Sequence, residues 1–160
     1  MDPHSQEDPD TDLMTVYDFT RRGEDLHSQL QAFAALLGVS TQTCDTIAAW
    51  MYYHTISLYL SGVFDGTLFG GRSAAQLSEN ERTGHIEGIL QRSDEVLQQS
   101  EVSHVFLLLP LRIAGNRCSN MTSCREVMRR IDDLQSHFAI AGTVKNELLK
   151  EWSSRSLYTR

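Results

Sequence analysis

Apolar residues recur three and four positions apart through most of this chain. Val127, Ile131, Leu134 and Phe138 form one such row, and Val144, Leu148 and Trp152 form another. Spacings of three and four return a side chain to the same helix face, so each row predicts an amphipathic helix with one buried side. Upstream lies a run that is apolar at nearly every position, from Val105 to Gly115. It lacks a polar face, which predicts a third helix buried on most sides. A polar loop over 116–123 separates this helix from the next. The stretch 102–152 thus reads as three helices sharing one core.

The earlier part follows the same pattern. After Gly23, the residues Leu26, Leu30, Phe33 and Leu37 mark a buried face, and Gly38 is a suitable stop. Ser40, Thr41 and Thr43 offer hydroxyls to cap a second helix that runs to Leu60 or Phe64. Its face carries Ile47, Met51, His54 and Leu58, widened by Trp50, Tyr53 and Ser57, which predicts a central place. Residues 61–77 hold four glycines and read as a loop. No Lys follows in the pattern of a phosphate-binding loop. Ser78 and Glu81 form a capping box that opens a helix through Ile86, Ile89, Leu90, Val96 and Leu97. Gly84 and Gly88 each weaken that helix by roughly 1 kcal/mol relative to Ala. Ser123 and Glu126 read as a second capping box, and Pro110 is expected to kink the apolar run.

The fold expected is all-α, an irregular bundle or array of about six helices. Residues 1–22 read as a disordered acidic tail and lead-in, 23–153 as the helical domain, and 154–160 as a frayed end. Leu13, Met14, Val16, Tyr17 and Phe19 in the lead-in are expected to dock on the domain.

The net charge of −7 argues against direct nucleic-acid binding, which shows a basic footprint. The three cysteines, Cys44, Cys118 and Cys124, make no Cys-x-x-Cys pair, so a structural zinc site is not expected. They read as isolated reduced thiols in a nuclear or cytoplasmic protein, with a Cys118–Cys124 disulfide as the alternative. Met1 is followed by Asp and Pro, unlike a signal peptide. The longest apolar run, about ten residues, is too short to span a membrane, which takes roughly 18.

Nothing in the chain forms a catalytic, cofactor or metal pattern. His54, His85, His104 and His137 fall on predicted helices, outside nucleophile-elbow and metalloprotease motifs. His54 reads as a satisfied core histidine. Arg112 is the conspicuous charge in the apolar run and reads as a cation reaching solvent on its aliphatic stem; if buried, it would pair with Glu101, Asp132 or Asp133. Trp50, Tyr52, Tyr53 and Trp152 are aromatic anchors for a partner, or core. The positions singled out for interaction or buried polarity are Trp50, Tyr52, His54, Arg112 and Trp152. No cluster of titratable groups converging on a cavity is expected.

Three segments also carry a family resemblance. Pro110-Leu-Arg-Ile-Ala-Gly115, Arg125 at the start of a helix, and Leu148-Leu-Lys-Glu-Trp152 resemble the C-terminal regulatory region of fungal zinc-cluster transcription factors. Tyr52-Tyr-His-Thr-Ile-Ser-Leu58 is similar to an earlier helix of that region. The resemblance covers residues 25–153. It implies a regulatory module acting through protein–protein contacts, with a full-length transcription factor or a second copy as partner, in the setting of secondary-metabolite gene clusters. The family's DNA-binding module takes six cysteines, and this chain has three. The chain then reads either as a truncated regulator that pairs with a full-length factor or as a piece of a longer one. The competing class is a small all-α enzyme or ligand-binding protein.

Overall fold

The computed structural model describes residues 9–40, 43–65, 73, 75–98 and 103–155, with side chains from residue 16 onward. Six α-helices and one short 3-10 helix make up the described residues, with no strand among them. The helices are α1 (Pro9–Gly38), α2 (Cys44–Phe64), α3 (Glu79–Leu97), α4 (Leu108–Arg117), α5 (Met121–Gln135) and α6 (Ala139–Ser154). The 3-10 turn His104–Leu107 leads directly into α4. Of the tails read over 1–22 and 154–160, residues 1–8 and 156–160 lie outside the described residues, as do 66–72 of the loop read over 61–77.

Two cores hold the array together. The larger is built from α2 to α6 and contains Met51, Leu58, Ile89, Leu111, Ile131, Leu148 and Trp152. The rows read on α5 and α6 are buried at Val127, Ile131 and Leu134, then Val144, Leu148 and Trp152, whereas Phe138, read as the end of the first row, lies past α5 as the cap residue of α6 and is half-buried. The smaller core joins α1 to α2 through Leu30, Tyr53, Leu60 and Phe64. The α2 helix is central as expected, packing against α1, α3 and α4.

Several expectations are corrected. Residues 9–22, read as the end of a disordered tail and a lead-in, are helical and continuous with the rest of α1. Gly23 looked like a boundary but lies inside the helix, where a Cβ would overlap the Phe64 ring. A glycine lets the two helices touch there. On α1, Leu30 and Leu37 are buried, whereas Leu26 and Phe33 are each 41% exposed, because α2 covers a single narrow stripe. The cap of α5 is Asn120, whose side chain accepts from the Ser123 N–H, so Ser123 is the third helical residue and not the cap. Pro110 is the third residue of α4, where an N–H has no intrahelical acceptor to lose, and it starts the helix instead of kinking it.

The two capping boxes are Thr43 with Thr46, opening α2, and Ser78 with Glu81, opening α3. Within α3 the glycines differ. A Cβ on Gly84 would meet nothing within 4 Å, whereas one on Gly88 would lie 2.5 Å from the His54 ring. Gly84→Ala is therefore expected to stabilise the protein by about 0.5–1 kcal/mol, through helix propensity. Gly88→Ala is expected to destabilise it by about 1–2 kcal/mol, since overpacking outweighs propensity. Urea melts of the two variants check this; shifts of the same sign would contradict the packing at His54.

Candidate functional site

His54 faces α3 from the middle of α2 and meets His85, with the two Nδ1 atoms 2.9 Å apart. One ring donates Nδ1–H and the other accepts, so the contact needs at least one neutral imidazole with a free Nδ1. Trp50 stacks on His54 at 5.9 Å between ring centroids, and Tyr53 lies 5.5 Å from His85. The fourth wall is Gly88. Burial, then the proximity of His85 and of Arg92, lowers the His54 pKa to about 4. Burial also lowers that of His85, partly offset by Glu81 and reinforced by His27. The carboxyl of Glu81 is itself held low by the Ser78 hydroxyl and N–H that it accepts from. Two titratable groups thus meet, but on each other. A cleft of about 230 Å³ lies beside the pair, lined by Trp50, Arg92 and Leu37.

A second feature lies on the side of α2 turned away from α3. Tyr52, Ile56, Tyr59 and Val63 are four, three and four residues apart and share one face. Ile56 is 41% and Tyr59 61% exposed. Across from them, Leu109 and Ile113 of α4 complete a cleft of about 300 Å³ with Tyr52, Thr55, Ile56 and Tyr59. An adjoining cleft of about 290 Å³ runs on from Tyr59 and Ile113 to Gly62, Val63 and Arg117. The Tyr52 hydroxyl donates to the Phe106 carbonyl at 3.3 Å, tying α2 to the turn before α4, and burial raises its pKa. The result is an open apolar trough with α2 as floor and α4 as one wall.

The singled-out residues therefore part company. Trp50 and His54 belong to the histidine cluster, and Tyr52 edges the trough. Arg112 is half exposed and pairs at 2.9 Å with Glu147 of α6, not with Asp132 or Asp133; Glu101 lies outside the described residues. Trp152 is fully buried and donates its Nε1–H to the Gly115 carbonyl at 2.9 Å.

The buried arginine is Arg130, 4% exposed, which donates to Asp94 at 2.5 Å and to the Glu126 carboxylate at 2.8 Å. Its place three residues after Val127 and four before Leu134 is the sequence signal that marks it. Cys118 and Cys124 are buried free thiols and form no disulfide, though they hydrogen-bond to each other; burial raises both pKa values and keeps them as thiols. Among the described residues no group of three His, Cys, Asp or Glu is placed to hold a metal ion, and no helix is long and apolar enough to cross a membrane. No protein-family model, curated protein or solved structure matches this chain.

Proposed function

We propose that this chain is a transcription-regulatory helical module of the fungal zinc-cluster type that acts in the nucleus through protein contacts, without a zinc cluster of its own. The resemblance of Pro110–Gly115, Leu148–Trp152 and Tyr52–Leu58 to the regulatory region of that family supports it. The observation that carries it is the open trough on α2 and α4. Exposed apolar faces of this extent mark sites where another protein packs, and a trough between helices suits an incoming amphipathic helix. The charge of −7 favours a protein partner over a nucleic acid.

The competing enzyme or carrier reading would draw on the His54–His85 pair. That pair sits between Trp50, Tyr53 and Gly88, and its two Nδ1 atoms are engaged with each other instead of with a ligand.

Fusing the chain to an unrelated DNA-binding domain in a fungal host tests the proposal. Reporter transcription is expected to change several-fold, up or down, and to return to background when Tyr59→Glu and Leu109→Glu are combined. A reporter unmoved by the well-expressed fusion would refute it.

A further inference from the structure

Helix α1 is held more lightly than the two helices that carry the histidine pair. Its packing is on α2, through the smaller core, where Leu30 and Ala34 meet Trp50, Tyr53, Leu60 and Phe64. Phe19 and Gly23 add contacts to the Phe64 ring. Among the described residues, no ion pair joins α1 to another helix. Helix α3, by contrast, sends Ile86, Ile89, Leu90 and Val96 into the larger core, and its Asp94 pairs with the buried Arg130 of α5.

Two residues serve both the seam under α1 and the histidine pair. Trp50 and Tyr53 pack with Leu30 and Ala34. The same rings wall the imidazoles: Trp50 stacks on His54, and Tyr53 lies 5.1 Å from His54 and 5.5 Å from His85 between ring centroids. Trp50 and Tyr53 also meet each other edge to face at 5.5 Å. A displacement of the imidazoles therefore moves the surface on which α1 sits. One end of the seam is open to solvent through the cleft of about 230 Å³, lined by Leu37 and Gly38 of α1, Ile47 and Trp50 of α2, and Arg92 of α3. Several waters fit there, each taking roughly 30 Å³ in the liquid.

We infer that α1 is an acid-released arm: charging the His54–His85 pair lifts it from α2 while α2 to α6 stay folded. The closed contact has room for one proton between the facing Nδ1 atoms, and a second would set N–H against N–H across 2.9 Å. A charged imidazole also needs water or an anion. Helix α3 presents Arg92, which is engaged twice by Glu95, and Glu81, whose carboxylate accepts from the Ser78 hydroxyl and N–H. Helix α1 presents His27, with Glu24 one turn before it, and α2 presents the Tyr53 ring. Glu81 favours a proton on His85, whereas Arg92 opposes one on His54 and His27 opposes one on His85. Hydration has to come through the seam, and α1 is the wall with the fewest contacts to break.

The direction of the switch follows from the two states. In the open form the rings titrate near the ordinary value of 6.5, whereas in the closed form His54 resists protonation until about pH 4. The open form thus holds more protons between these values, so acid opens the seam and neutral pH closes it. Local openings of this kind come from the parts of a fold with the fewest buried contacts.

Hydrogen exchange of the full chain in low concentrations of urea, read by mass spectrometry and corrected for the intrinsic effect of pH, tests the inference. Peptides from α1 are expected to exchange through an opening that urea barely accelerates, because it exposes little surface. Peptides from α5 and α6 are expected to follow the urea-sensitive global unfolding. From pH 7 to pH 5 the α1 opening constant is expected to rise about tenfold or more. His54→Phe and His85→Phe each remove the contact between the rings and are each expected to flatten that rise, so either variant serves if the other fails to fold. Exchange of α1 in step with α5 and α6 at both pH values, an α1 opening indifferent to pH, or an acid-driven opening of α3 with α1 still protected would each overturn the inference.

Discussion

Replacing Trp152 by Ala is expected to lower the stability of the protein by about 3–5 kcal/mol, the range for deleting a large buried aromatic side chain. The indole is fully buried in the main core, beside Leu148 and beneath α4. Two contributions add up. Deleting the rings removes a large apolar contact area and leaves a cavity that helices of this length close only in part. The Nε1–H bond to the Gly115 carbonyl, 2.9 Å long, is also lost. Trp152→Phe separates the two. It keeps most of the bulk, and the Gly115 carbonyl keeps the Cys118 N–H as a donor at 3.3 Å, so a cost of about 1–2 kcal/mol is expected. Domains of this kind have roughly 5–15 kcal/mol in total, so the Ala variant removes a large share. Urea unfolding followed by circular dichroism measures both. An Ala variant within about 0.5 kcal/mol of the parent, the range expected of a surface substitution such as Arg112→Ala, would mean that Trp152 does not anchor α6.

The same tryptophan shows where the sequence is legible. Helices α5 and α6 are amphipathic on one side only, so their buried rows can be read from spacing, and Trp152 completes such a row. Helix α2 cannot be read in this way. It is apolar almost all round, and periodicity does not say which of its faces meets a neighbour. Its stripe through Ile56 and Tyr59 carries no distinguishing mark, because the row through Met51 and Leu58 already accounts for a core. For α1 the spacing of Leu26 and Phe33 is visible, but their exposure depends on how many helices lie alongside, which is a tertiary fact. Gly23 and Pro110 mislead for a related reason. Each has a strong local meaning, and in each case a neighbour or a helix start supplies a different one. The histidine pair is half legible. The place of His54 among core residues can be seen, but its partner lies 31 residues away on another helix.

That pair makes the protein acid-sensitive in a window where Glu81 and Glu126 stay charged. Lowering the pH from 7 to 5 is expected to reduce stability by about 2 kcal/mol through His54. The unfolded chain binds a proton there near the ordinary value of 6.5, whereas the folded protein resists until about pH 4. Between these values the unfolded state holds more protons, so stability rises with pH. The contribution is complete above about 6.5 and is lost as the pH falls through the window. Each tenfold loss of proton affinity corresponds to about 1.4 kcal/mol. Only the upper part of the window is crossed by pH 5, and His54 is partly open to solvent, so the expected loss stays below that of the whole window. Charging both rings would point two N–H groups at each other across 2.9 Å, so His85 adds to the effect in the same direction. Arg92 and His27 oppose protonation as well, while Glu81 favours it at His85. The carboxylates with lowered pKa values, Glu81 and Glu126, titrate below their usual range and stay charged throughout. Urea midpoints at pH 5, 6 and 7 follow the loss, and His54→Phe, which keeps a ring of similar size without a titrating nitrogen, should remove most of the slope. Equal slopes in the parent and the variant would show that the His54–His85 contact is not what the acid attacks.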